Sequence, residues 1–171
     1  MTVRLVLLRH AKSDWDVGAP DRERPLAARG RRQAAEAGEW LARQEADPAL
    51  DPDADPGLEL ALDLALVSPA RRARETWRLA SASLAHPPPV RSAEAAYTFD
   101  GGELLDVVRG LTGEDAVALV GHNPALEELV QRLTGAWVPM KTAALAVVEL
   151  DGWEHAGRRR GRLLAHGRPP A

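Results

Sequence analysis

The 171-residue sequence contains no cysteine, which excludes disulfide bonds, a thiolate nucleophile and any metal site that depends on cysteine ligands. It also lacks a basic excess, because 22 lysines and arginines face 25 acidic residues for a formal net charge of -3. Nucleic-acid-binding proteins are expected to be basic, so a nucleic-acid partner is disfavoured. No stretch approaches the roughly 18 consecutive apolar residues of a membrane span, so no membrane partner is expected either.

The hydrophobic content of 45% is enough for a core in a chain of this length, and we expect residues 1–171 to form a single domain. Residues 45–57 are rich in Asp and Pro, which disfavours a helix or a central strand, and we interpret them as an acidic surface insertion. Residues 167–171 are predicted to be a loose tail. The N-terminus has no signal-peptide pattern, so the expected location is the cytoplasm.

Short apolar runs alternate with amphipathic segments along the chain. Strands are predicted at about 3–8, 62–67, 90–93, 116–120, 143–150 and 162–166, the last two as antiparallel neighbours. Four helices are predicted, at about 29–44, 68–84, 100–111 and 123–135. This alternation predicts a three-layer α/β/α sandwich with a mostly parallel central sheet.

Local signals indicate where two of these helices begin. Ser68 and Pro69 have the residue types preferred at the N-cap and the first helical position. Asp100 followed by Glu103 resembles a capping box, in which the two side chains bond to each other's backbone N–H groups.

Three of the predicted strands run into polar side chains suited to an anion. The first ends in Arg9 and His10, the second in Ser68 with Arg72 one turn later, and the fourth in His122. Ligands of open α/β sheets bind beyond the carboxyl ends of the strands, so we expect these side chains to share one crevice. Arginines, imidazoles and helix N-termini together predict a phosphoryl site.

The residue types also indicate which side chains act. Helical side chains lean toward the N-terminus, so Arg72 can reach back to the helix start, whereas Arg71 and Arg74 point away and are expected to be solvated. The sequence has no cysteine and no Gly-x-Ser-x-Gly elbow, which makes His10 the natural nucleophile. His122 would add a positive donor if it were protonated.

These motifs resemble those of the histidine phosphatase superfamily, which has the phosphoglycerate-mutase-like fold. The segment Leu8-Arg9-His10-Ala11 is similar to its Arg-His-Gly signature, with Ala in place of Gly. The segment from Ser68 to Thr76 resembles the second motif, whose functional arginine falls on Arg72, and Gly121-His122-Asn123-Pro124 resembles the motif with the second histidine.

The segment Arg24-Pro25-Leu26 followed by Gly30 resembles the superfamily's segment after the catalytic loop. The small phosphohistidine phosphatase branch is the most similar one when four segments are taken together: Arg-His-Ala-Lys-Ser at 9–13, Ser-Pro-Ala at 68–70, Gly-His-Asn-Pro at 121–124 and Met-Lys-Thr-Ala at 140–143. The resemblance implies a metal-independent phosphatase without a cofactor, in which His10 attacks a phosphoryl group held by Arg9, Arg72 and His122. Further candidates for substrate binding are Arg24, Ser13 and Thr142.

Larger members of the superfamily carry an acidic residue that protonates the leaving oxygen, and Glu94 is the candidate for this role. An imidazole, whose pKa is about 6.5, leaves far more easily than an alkoxide. Hydrolysis of phosphohistidine therefore demands less general acid catalysis, which favours a phosphohistidine-bearing protein as the substrate.

Two alternatives stay open from the sequence. The first is a small-molecule phosphomonoesterase with the same nucleophile, which a functional Glu94 would favour. The second is a non-catalytic module that binds phosphorylated ligands, which the presence of both His10 and His122 disfavours. The sequence does not indicate the partner protein or the oligomeric state.

Overall fold

The computed structural model describes residues 1–45 and 58–170. Its six strands are β1 Val3–Arg9, β2 Leu64–Val67, β3 Val90–Ser92, β4 Ala116–Gly121, β5 Leu145–Leu150 and β6 Arg162–Gly167. The four α-helices are α1 Ala28–Glu45, α2 Arg71–Ser81, α3 Gly101–Arg109 and α4 Ala125–Thr134. Apart from Glu45, the predicted acidic insertion at 45–57 lies outside the described residues. No helix in the described part of the chain has the length and apolarity to cross a membrane.

The six strands form one sheet in the order β3-β2-β4-β1-β5-β6. The first four strands are parallel, and the last two are joined by antiparallel pairings, as the sequence predicted. Val67 pairs with Val120, and Gly121 pairs with Arg9. The carboxyl ends of β2, β4 and β1 therefore lie side by side at one edge of the sheet.

Both faces of the central strands are covered by helices. In β1, Leu5 and Leu7 join the core under α3 and α4, whereas Val6 and Leu8 join the core under α1 and α2. Alternate residues of a strand point to opposite faces, so an uninterrupted apolar run is what a sheet covered on both sides requires. The predicted three-layer α/β/α sandwich is confirmed.

The predicted start of α2 was wrong by about two residues. The N-cap position is Ala70, which has no side-chain cap, and the helix ends at Ser81 rather than near Leu84. Ser68 lies before the helix, and its Oγ is 2.8 Å from Nε2 of His122. The Ser68 hydroxyl therefore bonds to an imidazole at the end of another strand. Local sequence patterns do not reveal a contact of this kind.

The predicted capping box of α3 is only half formed. Asp100 is the N-cap and accepts a hydrogen bond from the N–H of Gly102 at 2.7 Å. Glu103 does not return the bond, because its carboxylate accepts from Thr98, whose Oγ1 accepts from the N–H of Asp100 at 3.1 Å. Thr98 thus replaces Glu103 as the partner of the Asp100 backbone.

At the C-terminal end, Gly167 closes β6 and Pro169 is buried, so part of the predicted tail packs against the domain. Ala171 lies outside the described residues.

Candidate active site

The two histidines lie together where β1 and β4 end. His10 follows Arg9, the last residue of β1, and its N–H donates to the carbonyl of Gly121 at 3.1 Å. His122 follows Gly121, and the ring centroids of the two histidines are 5.2 Å apart. The sheet register therefore brings the two histidines side by side.

His10 is held in one tautomer by its own loop. Its Nδ1 is 2.8 Å from the carbonyl oxygen of Ala11. A carbonyl can only accept, so Nδ1 carries the hydrogen and Nε2 keeps a free lone pair. The side chain is only 8% exposed, and burial lowers the pKa of His10 to about 3, although the Ala11 hydrogen bond acts in the opposite direction. At neutral pH His10 is an uncharged imidazole, the form that acts as a nucleophile.

His122 is also neutral in this site. Its Nδ1 is 3.4 Å from Nη2 of Arg72, which can only donate, so the hydrogen of the ring lies on Nε2 and is donated to Ser68. Burial, followed by the nearby charge of Arg72, lowers the pKa of His122 to about 4. The positive donor considered from the sequence is therefore not present at neutral pH. A bound phosphoryl anion would favour protonation again.

Arg72 is almost completely buried beside His122, with 2% of its side chain exposed. Its Nη1 donates to the backbone carbonyl of Asp21 at 2.6 Å, and its Nη2 donates to Oδ2 of Asp21 at 3.1 Å. Among the described residues, the Nε of Arg72 has no hydrogen-bond partner. Arg71 and Arg74 are exposed, as predicted from the helical wheel.

Arg9 has the same kind of unused donor. Its Nη1 donates to the carbonyl of Met140 at 3.0 Å, while its buried Nε finds no partner within the described part of the chain. The Met140 carbonyl also accepts from Nδ2 of Asn123 at 2.7 Å, which ties Arg9 to the loop after β4. A buried donor without an acceptor costs about 1–3 kcal/mol. An oxyanion that accepted from Arg9 and Arg72 would remove this cost twice.

Arg24 and Ser13 lie in the same network. The Nε of Arg24 donates to Oγ of Ser13 at 3.0 Å, and its Nη1 donates to Oδ1 of Asp21 at 3.0 Å. The guanidinium of Arg24, in a side chain that is buried, also stacks on the ring of Trp15 at 3.7 Å. The hydroxyl of Ser13 therefore serves to orient Arg24.

The side chain of Thr142 contacts the C-terminal segment. Its Oγ1 lies 3.5 Å from Nη1 of Arg168. The neighbouring residue, Ala143, donates its N–H to the carbonyl of His10 at 3.1 Å. Thr142 thus adjoins a residue bonded to the backbone of His10, and its role in substrate binding stays a prediction.

Glu94 forms an exposed ion pair with Arg22 at the mouth of the site, and 70% of its side chain is accessible. The hydrogen bonds from Arg22 lower the pKa of Glu94. A general acid needs the opposite shift, because it must keep its proton near the operating pH. The geometry therefore gives no support to Glu94 as a proton donor, and the role stays a prediction.

The sequence analysis missed a link between the His10 loop and α2. Thr76 donates from Oγ1 to the carbonyl of Arg72 at 2.6 Å and accepts from the N–H of Ala11 at 2.9 Å. One hydroxyl therefore fixes the His10 loop to the turn that carries Arg72. The position of Thr76 four residues after Arg72, at the end of the second motif, was the available signal.

Asp21, Tyr97 and Phe99 were also missed. The Asp21 carboxylate accepts hydrogen bonds from Arg72, Arg24 and Tyr97. The rings of Tyr97 and Phe99 lie 5.4 and 5.8 Å from the ring of His122. Asp21 stands three residues before Arg24, which hints at that pair, but nothing local indicates that it meets Arg72.

The loop after His10 is also held from below by α1. A Cβ added to Gly30 would lie 2.0 Å from the carbonyl oxygen of Lys12, so only glycine allows this approach. The N–H of Lys12 donates to Oε1 of Gln33 at 3.0 Å. In the described ranges 1–45 and 58–170, no group of three or more His, Asp or Glu side chains is placed to hold a metal ion.

Comparisons with known proteins agree with this architecture. The family profile of the histidine phosphatase superfamily (branch 1) matches residues 5–96. An uncharacterized protein of Mycobacterium leprae is 29% identical, with 92% of this chain and 97% of the relative covered. An uncharacterized chloroplastic protein of Arabidopsis thaliana is 30% identical, with 90% of this chain and 70% of the relative covered.

Solved structures of SixA proteins are similar over the whole domain. The protein histidine phosphatase SixA in complex with tungstate is 26% identical, with a TM-score of 0.77 and coverage of 98% of this chain and 97% of the other. A provisionally named phosphohistidine phosphatase SixA from Agrobacterium tumefaciens is 25% identical, with a TM-score of 0.74 and 98% of both chains covered. On the fold, the strand-end site and these matches, the chain belongs to the histidine phosphatase superfamily (branch 1), whose members are phosphatase-type hydrolases.

Proposed function

We propose that this protein is a phosphatase that removes the phosphoryl group from phosphohistidine on another protein, through a covalent intermediate on His10. The observation that carries the proposal is the state of His10: its Nδ1–H is bound to the Ala11 carbonyl, so a neutral Nε2 is left to attack. Arg9 and Arg72, whose Nε atoms have no partner within the described ranges, supply positive charge and donors for the phosphoryl oxygens.

In the first step the lone pair of His10 Nε2 forms a bond to phosphorus. The phosphorus–nitrogen bond of the substrate breaks, and the substrate imidazole leaves as a neutral ring when its other nitrogen carries a proton. The positive charge that develops on phospho-His10 lies on the ring whose Nδ1–H the Ala11 carbonyl accepts. Arg9 and Arg72 offset the negative charge on the phosphoryl oxygens, so the step needs no metal ion.

In the second step a water molecule attacks the phosphorus of phospho-His10. The new phosphorus–oxygen bond forms as the bond to Nε2 breaks, and His10 returns to its neutral form with the hydrogen on Nδ1. The released product is inorganic phosphate, which carries both hydrogens of the water.

The two carboxylates discussed near the site, Glu94 and Asp21, are both poor proton donors, which favours phosphohistidine over phosphate monoesters. An alkoxide must be protonated as it leaves, whereas an imidazole leaves without this help. Glu94, the acidic candidate, is paired with Arg22 and has a lowered pKa. Asp21 is also ionised, because hydrogen bonds from Tyr97, Arg72 and Arg24 outweigh the effect of burial and lower its pKa to about 2.

The surface around the site favours a protein substrate. Trp15 stacks on Arg24 and is 70% exposed, and Phe99 packs near His122 and is 53% exposed. Large apolar side chains that stay exposed beside a site are typical of surfaces that contact another protein. The similarity to the protein histidine phosphatase SixA supports the same substrate class.

The test is to trap the intermediate. The protein is incubated with a phosphohistidine peptide and quenched in base, and the adduct is located by mass spectrometry. We expect an acid-labile phosphoryl group on His10 and release of inorganic phosphate, both unaffected by EDTA and both absent from His10→Ala.

Release from a sugar phosphate but not from the peptide would contradict the proposed substrate and favour a small-molecule phosphomonoesterase. Tight phosphate binding without turnover of any substrate would overturn the proposed reaction and favour a phospho-ligand-binding module.

A further inference from the structure

We propose that Asp21 is a positioning residue of the phosphoryl site, which clamps the guanidinium groups of Arg72 and Arg24 so that Arg72 keeps one fixed orientation beside His122. This inference rests on the function proposed above, because it assigns a task to Asp21 at that same site. The resemblance that identified the other candidates does not single out this residue.

Two of the three guanidinium nitrogens of Arg72 donate hydrogen bonds to Asp21. Both terminal nitrogens of Arg72 are occupied, Nη1 by the Asp21 carbonyl at 2.6 Å and Nη2 by Oδ2 at 3.1 Å. Nε alone has no partner among the described residues. A planar guanidinium held at both terminal nitrogens cannot rotate, so its remaining donor keeps a fixed direction.

The second carboxylate oxygen extends the clamp to Arg24. Oδ1 accepts from Nη1 of Arg24 at 3.0 Å, and the other side of the Arg24 guanidinium is fixed by Ser13 and Trp15. Tyr97 donates its hydroxyl to Oδ2. Three side chains from three different segments therefore converge on one carboxylate, whose pKa of about 2 keeps it ionised.

A competing role would predict the opposite effect on ligand binding. If Asp21 merely occupied the anion site, its removal would free Arg72 and strengthen the binding of an oxyanion. If Asp21 holds the arginines in place, its removal weakens binding. The backbone bond from Arg72 Nη1 to the Asp21 carbonyl survives any side-chain substitution, so the variants test the carboxylate alone.

The experiment measures tungstate and inorganic phosphate binding to the full-length protein by isothermal titration calorimetry. Charge-assisted hydrogen bonds of this kind predict that Asp21→Ala weakens tungstate binding by a factor on the order of 10 to 100. Asp21→Asn is expected to fall between wild type and Asp21→Ala, because the amide oxygen still accepts from one guanidinium. Glu23→Gln is the matched control, since it removes an exposed carboxylate two residues from Asp21, and we expect a change below about twofold.

A double-mutant comparison with Arg72 distinguishes a positioning role of Asp21 from a general effect on the structure. In an Arg72→Lys background, which keeps the charge but not the fork, Asp21→Ala should weaken tungstate binding by less than about threefold. Equal losses in both backgrounds, or binding as tight as wild type in Asp21→Ala, would overturn the inference. Melting curves check that each variant is folded.

Binding and turnover also separate this inference from the proposed function. If wild type binds tungstate, the variants decide the role of Asp21 whether or not phosphohistidine is hydrolysed. If wild type binds neither oxyanion, the phosphoryl site itself is refuted, and the role of Asp21 falls with it.

Discussion

Two arginines of the site region, Arg72 and Arg22, each pair with a carboxylate, but only Arg72 is buried. The Arg72 side chain is 2% exposed and is paired with Asp21, whereas Arg22 is 48% exposed and is paired with Glu94. The exposed pair is screened by water and pays the entropy of ordering two long side chains. Arg72 is surrounded by protein and held by two bonds to Asp21, so its geometry is set before substrate arrives.

The comparison teaches that charge pairing alone does not identify an arginine suited to bind a phosphoryl group. Both pairs place an acid beside a guanidinium in the same region, and both include residues close in sequence, at positions 21 and 22. Burial distinguishes Arg72, together with an Nε–H that has no partner among the described residues. A buried charge interacts more strongly with an anion than an exposed one does. The predictions below test this difference.

The largest effect is expected from the arginines themselves. Removing one donor to a developing oxyanion costs a factor of about 100 to 1,000 in rate, so Arg72→Ala should lower kcat/KM by that order. Arg22→Ala should change it by less than about threefold, because the pair is exposed. Steady-state release of phosphate from a phosphohistidine peptide measures both, with circular dichroism as the control for folding. Similar losses in the two variants would refute the distinction between the buried and the exposed arginine.

The burial of the site can also be tested through the pKa values of His10 and His122. The pKa of His10 is lowered to about 3 and that of His122 to about 4, in both cases first by burial. Depressed pKa values mean that both rings stay neutral as the pH falls from 7 to 5, whereas an unfolded chain would bind protons near pH 6.5. NMR titration of the imidazole resonances, assigned with His10→Asn and His122→Asn, should show no shift of these two signals in this range. A midpoint near 6.5 for either histidine would show that the site is wetter than the structure indicates.

The lowered pKa values of His10 and His122 also make the folded protein less stable at acidic pH. The unfolded chain binds more protons than the folded one between about pH 6.5 and pH 4, so these histidines make the free energy of unfolding smaller as the pH falls through that window.

The smallest effect is expected from Glu94. Its carboxylate is exposed and bound to Arg22, and its pKa is lowered, so it is not equipped to give up a proton to a leaving group. Glu94→Gln should change the rate on a phosphohistidine peptide by less than about twofold. The same kinetic assay measures it, and a loss beyond about tenfold would restore Glu94 as the general acid.

Much of the fold followed from periodicity in the sequence. The uninterrupted apolar runs of β1 and β4 predicted strands buried on both faces, and the stripes of α1 and α4 predicted helices that cover them. These signals are reliable because each depends only on residues within one element. The start of α2 and the capping of α3 were less predictable. Ser68 lies two residues before the N-cap Ala70 and contacts His122 as well as the Ala70 N–H, and Glu103 accepts from Thr98 instead of from the N–H of Asp100.

The residues of the candidate site also fall into those that the sequence predicted and those that it did not. Arg9, His10, Arg72 and His122 could be predicted because each follows a strand end, and parallel strands bring those ends to one edge. Asp21 and Tyr97 could not be predicted, because they lie in irregular segments whose partners are distant in the chain. The carboxylate of Asp21 meets Arg72, 51 residues further on, only because the loop after β1 folds back across the start of α2.

The sequence by itself determined the order of strands and helices, the edge of the sheet where the chemistry lies and the choice of an imidazole over a thiolate, because residue type and local spacing control these features. Only the tertiary structure decided which arginine is buried, which tautomer each histidine adopts and which carboxylate holds the arginines. Those properties depend on desolvation and on hydrogen bonds between segments, and they exist only when the segments are packed together.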